Sequence, residues 1–220
     1  MSLPPDIDLP PATEVGFWEH YYHEPEIPWD LGAAAPPLVH WLENNPTCFQ
    51  QHAIVKVVVL GAGAGHDAAL FTQPNGLSKN STVTGLDYAP SAIQMATKRY
   101  GKIPNLQFEQ ADCLNLTNGP LAASLHHTFD LAIEHTFFCA IQPEQRDAYI
   151  ENLCFVLKPK GYFLGLFWNH GGPGGPPFDT TPEAIQQHFA PHFHLLTLDQ
   201  ATGSHPRRQN KEWLGWFQRR

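Results

Sequence analysis

Over residues 54–60 the chain reads IVKVVVL, a short and almost wholly apolar run that breaks at once into the glycines of GAGAG. A β-branched run of this length, bounded by a turn, predicts a strand buried on both faces of a parallel sheet. HDAALF then predicts a short helix, and the alternation continues. Strands are expected over 81–86, 106–109, 129–134, 161–167, 193–198 and 213–217, with helices over 90–100, 143–157 and from Pro182 onward. LKPKG is expected to end the 143–157 helix at Pro159 and Gly161. Alternating strand and helix predict an α/β, doubly wound, mostly parallel sheet joined by crossover helices.

The first 37 residues break this pattern. They are rich in proline and aromatics without periodicity, and are expected to cover the domain formed by residues 38–220 as an N-terminal lid segment. Trp18, Tyr21, Tyr22 and Trp29 fall within it. Large rings on an irregular segment either fill a core or close over a ligand.

Composition narrows the setting. A chain of 220 residues buries a substantial core as one domain, and a net charge of -8 without a basic stripe argues against nucleic acid as a partner. No apolar run approaches the roughly 20 residues needed to span a bilayer, and the N-terminus, with Pro4, Pro5, Asp6 and Asp8, lacks an export signal. A cytoplasmic chain without a membrane partner is expected, with a monomer favoured. Cys48, Cys113, Cys139 and Cys154 show no paired spacing and are expected as reduced, buried thiols. His188, His192 and His194 straddle the helix-to-strand transition marked by Pro191, so no metal is assigned to them.

Gly61, Gly63 and Gly65 place a glycine turn between the first strand and the first helix, where backbone approaches a ligand closely. The sixth position of the dinucleotide pattern is His66 rather than a small residue, which disfavours a nicotinamide cofactor. The next strand ends in GLDYAP, so Asp87 stands at its carboxyl edge, where a carboxylate accepts from both hydroxyls of a ribose. Asp112 and Cys113 follow the third strand, at a position suited to an adenine amino group; an isolated Asp there also reads as a helix cap.

FWEHYYHEPEIPWDLG, VLGAGAGHDA, GLDYAPSAI, EHTFFCAIQPEQR and the GGPPF loop together resemble the thiopurine S-methyltransferase superfamily, and within it the halide/thiol methyltransferase branch. The resemblance implies a seven-stranded Rossmann-like sheet, S-adenosylmethionine as cofactor, and methyl transfer by in-line displacement to a small thiol, hydrosulfide, thiocyanate or iodide. It implies cofactor contacts from Trp18, Tyr22, Trp29, Gly61, Gly63, Gly65, Asp87, Asp112, Cys113 and Glu134. On the substrate side it implies Phe138, Arg146, Phe167 and Trp168, with Arg146 as the catalytic-site cation. The chain departs from the family in LGAG at residues 60–63, in Tyr22 where tryptophan is common, and in Glu134 for aspartate. Thiopurine or metalloid acceptors, or a non-catalytic cofactor-binding module, are the alternative readings.

Overall fold

The computed structural model describes residues 9–73 and 81–220; the first eight residues of the expected lid segment lie outside it. Strands β1 (Lys56–Leu60), β2 (Thr82–Asp87), β3 (Leu106–Gln110), β4 (Phe129–His135), β5 (Leu157–Trp168), β6 (Phe193–Gln200) and β7 (Glu212–Arg219) form one sheet in the order β3-β2-β1-β4-β5-β7-β6. β1 to β5 run parallel, whereas β7 inserts antiparallel between β5 and β6. Leu60 sits level with Leu86 and Glu134, so the carboxyl ends of β1, β2 and β4 share one edge.

Both faces of β1 are covered, which is why its pattern is apolar without alternation. Val57 and Val59 join Leu131, Ile133, Leu164 and Leu166 beneath α2 (Pro36–Asn44), α3 (Cys48–Gln51) and α4 (His66–Leu70). Val58 and Leu60 join Phe163, Phe167 and Phe217 beneath α7 (Arg146–Val156) and α8 (Pro182–Phe189). Each such side chain, fully buried, contributes about 1.5–3 kcal/mol. α5 (Pro90–Tyr100) packs on β2 and β3, and the short α6 (Ala122–Leu125) precedes β4.

Two expectations are corrected. The N-terminal segment is not irregular throughout: α1 (Val15–Tyr22) forms within it, burying Phe17, Tyr21 and Tyr22 on one side. The helix does stop at LKPKG, with α7 ending at Val156 and Leu157 as its C-cap, but the next strand begins there and not at Gly161: β5 starts at Leu157. Pairing with β4 jumps from Leu157 opposite Phe129 to Tyr162 opposite Leu131, so Pro159 and its neighbours occupy a bulge that needs no ladder N–H from proline. Among the described residues no helix is long and apolar enough to cross a membrane.

Candidate active site

The carboxyl edge of β1 to β5 opens on a cavity of about 200 Å³, and a smaller one of about 50 Å³ adjoins it across Gly61, His135 and Thr136. The glycine turn forms the boundary. Gly61, Gly63 and Gly65 all have positive φ (63°, 52° and 83°), and a Cβ on Gly61 would lie 2.4 Å from Cδ2 of Phe137. Only glycine meets both demands at residue 61.

Asp87 Oδ2 accepts from the Gly63 N–H at 2.8 Å and Oδ1 from the Ala89 N–H at 3.0 Å. The residue lines the cavity, and a carboxylate has more acceptor sites than these two bonds use. Burial pushes this carboxyl up to about 6 despite those two N–H donors. Beside it, Asp112 Oδ1 accepts from the Leu114 N–H, and burial raises the Cys113 thiol well above its ordinary value.

The N-terminal segment supplies the opposite wall. Trp18 and Tyr22 each meet Trp29 edge to face, with centroids 5.5 and 5.7 Å apart, and all three rings line the cavity. Three contacts fasten the segment to the sheet domain. Glu19 accepts from the Ser91 N–H and hydroxyl at the start of α5, Asp30 Oδ1 lies 3.2 Å from His66 Nε2, and the Trp29 carbonyl accepts from Arg208 Nη2 at 2.7 Å.

Of the residues singled out from sequence, Trp18, Tyr22, Trp29, Gly61, Asp87, Asp112, Cys113 and Trp168 line the larger cavity, and Gly63 the smaller. Gly65, Glu134, Phe138, Arg146 and Phe167 stand behind the lining. Gly65 lets α4 approach β3, since a Cβ there would meet Phe108 and Ala96 within 3 Å. Glu134 is fully buried; its Oε2 accepts from the Phe137 and Phe138 N–H groups, and burial pushes its carboxyl up to about 7. Arg146 lies over the Phe138 ring and donates to the Asp179 carbonyl and Thr180 hydroxyl, which fastens the proline loop containing cavity-lining Pro176 and Pro177. Phe167 is 1% exposed, a core ring between Phe138 and Phe189. Cys139, which does line the cavity, donates Sγ–H to the Thr136 carbonyl, and burial pushes its thiol up to about 12.

A buried charged cluster at the cavity wall went unread in the sequence. His135 Nδ1 lies 2.8 Å from Asp67 Oδ2, and Asp67 Oδ1 accepts from the Ala35 N–H at 2.7 Å. His135 Nε2 is in close contact with Arg208 Nη1, which also lies 3.4 Å from Glu212 Oε1. Burial pushes the Asp67 carboxyl up, but His135 and the Ala35 N–H outweigh it and hold the group below its ordinary value. The Arg208 guanidinium stands 5.5 Å from the Trp168 ring centre, and the buried Trp168 Nε1–H has no partner among the described residues. These four charged or titratable residues come from α4, the end of β4, a 3-10 turn at Pro206–Arg208 and the start of β7. No local motif joins them.

Residues 13–218 match the family model of thiopurine S-methyltransferase. Thiocyanate methyltransferase 1 of Arabidopsis thaliana is 30% identical over 93% of this chain and 85% of its own length. Thiopurine S-methyltransferase of Vibrio parahaemolyticus is 24% identical, over 87% and 89% respectively. Among solved structures, the N-methyltransferase NodS from Bradyrhizobium japonicum in complex with S-adenosyl-L-homocysteine shares the fold, with a TM-score of 0.65 at 16% identity over 91% of this chain and 95% of that one.

Proposed function

The chain belongs to the thiopurine S-methyltransferase family and is an S-adenosylmethionine-dependent methyltransferase; from that premise we propose that it methylates a small anionic sulfur or halide nucleophile such as thiocyanate, hydrosulfide, a thiolate or iodide. The observation that carries this reading is that Arg208 and Trp168 line the cavity together, the guanidinium 5.5 Å from the Trp168 ring centre, on an otherwise largely aromatic and aliphatic wall. One cation on a largely apolar wall suits a compact anion, and desolvation strengthens the attraction. The similarity to a thiocyanate methyltransferase supports the same substrate class.

The residues present fit the cofactor. In this reading the free lone pairs of Asp87 accept the ribose hydroxyls, and Gly61 and Gly63 let backbone approach the ligand, with Gly65 holding the turn against β3. Asp112 and Cys113 flank the adenine, while Trp18, Tyr22 and Trp29 close as a lid whose ring faces favour a sulfonium. The cofactor supplies an already activated methyl group. The protein's share is therefore to bring the nucleophile within about 3–3.5 Å of the methyl carbon, in line with the bond that breaks, and to exclude water. Glu134 shapes the Phe137–Phe138 turn, and Arg146 positions the proline loop rather than touching the nucleophile.

The direct test is incubation with methyl-labelled S-adenosylmethionine and a panel of thiocyanate, iodide, hydrosulfide, a thiopurine and an arsenic or tellurium oxyanion. Volatile methylated product from the first three is expected. Turnover restricted to the thiopurine or the oxyanion, or cofactor binding without turnover on any acceptor, overturns the assignment.

A further inference from the structure

Methylation of a neutral thiol releases a proton, and the cavity wall holds a group arranged to take it. Resting on the reading above, we infer that His135 is the proton acceptor for thiol substrates and that Asp67 is its positioning residue. The ring is clamped at one edge. Asp67 accepts at 2.8 Å from Nδ1, and its second oxygen is held by the Ala35 N–H, so the carboxylate cannot turn away. A carboxylate at Nδ1 places the hydrogen there and leaves the lone pair on Nε2. The neighbour at Nε2 agrees: Arg208 has only N–H groups to offer, so the nitrogen in contact with it acts as acceptor.

Charged side chains surround the ring. The groups that face it are Asp67 from α4, Glu212 from β7 and Arg208 from the 3-10 turn, with His66 acting on Asp67 from the other side. Glu212 Oε1 lies 3.8 Å from Nε2, where it would face an imidazolium. Arg208 must leave Nε2 as the proton arrives, since two donors repel. Glu212 Oε2, buried and without a partner among the described residues, offers the guanidinium its new contact. In the balanced step the substrate S–H proton passes to Nε2, the sulfur electron pair forms the bond to the methyl carbon, and the departing pair remains on the cofactor sulfur. Thiocyanate and iodide carry no proton to lose and do not need the acceptor.

The experiment compares wild type with His135→Gln on an alkanethiol and on thiocyanate, across pH 6 to 10. The expected result is a fall of about 100-fold in the thiol-to-thiocyanate turnover ratio at pH 7, the ordinary worth of a general base. That gap should narrow as the medium ionises the thiol itself. Independently, nitrogen-15 spectra of the histidine rings in the resting protein at pH 8, with His135 assigned through its loss in the variant, should show a protonated Nδ1 and an unprotonated Nε2. Equal losses on both nucleophiles, an unchanged ratio, or a hydrogen on Nε2 in the resting protein overturns the role of His135 alone. No product from any acceptor with wild type overturns the assignment of function and this inference with it.

Discussion

Asp87 shows how one buried carboxylate links stability to recognition. Its group is held at about 6 by burial, above the roughly 4 of an unfolded aspartate. A raised carboxyl value means that the folded state binds the proton more tightly. The contribution of Asp87 to ligand-free stability is therefore largest below pH about 4 and is lost as pH rises toward 6. On the proposed placement of the cofactor, binding runs the other way, because ribose hydroxyls would donate to the ionised form. Calorimetry should find affinity level above pH 6 and falling about tenfold per unit below it, and Asp87→Asn should weaken binding by about 10- to 100-fold at pH 7.5, the worth of hydrogen bonds to a charged group. A flat pH profile together with an unchanged affinity in the variant excludes this role. The place of Asp87 and Gly61 at the cavity was legible because a strand end and its turn are local in the chain. His135, Asp67, Arg208 and Glu212 were not, because what joins them is the sheet rather than any spacing. Arg146 illustrates the reverse: resemblance placed it against the nucleophile, while its partners Asp179 and Thr180 turn it toward the loop behind.

At the scale of elements, α5 lacks a capping side chain of its own, since Ala89 occupies the N-cap position. Glu19 of α1 serves in its place and also brings a negative charge to the positive end of the helix. Removing it with Glu19→Ala should lower stability by about 1 kcal/mol in urea unfolding. It should also speed proteolysis between Glu24 and Trp29, because the same bond docks the N-terminal segment. Unchanged cleavage with and without Glu19 excludes the docking role. The element order was readable from the apolar runs, but the α7 to β5 junction was not. Proline and glycine in LKPKG mark a break in regular pairing, and a helix end and a strand bulge draw on the same residues for the same reason.

Across the whole molecule, the site is closed by residues 179 positions apart, Trp29 and Arg208, so its last wall forms only when both ends of the domain are in place. Arg208 and Glu212 are each 2% exposed. Arg208→Met should cost about 3–5 kcal/mol in chemical denaturation by leaving Glu212 unpaired, and adding Glu212→Leu should restore most of that loss without restoring turnover of an anionic nucleophile. A double variant no more stable than the single one contradicts this account. On the proposed roles, the cluster therefore sets heat resistance and chemistry against each other. Directed evolution of this chain for thermal endurance alone would drift toward a greasy wall at residues 67, 135, 208 and 212, and its winners would be hardy proteins that had forgotten their substrate.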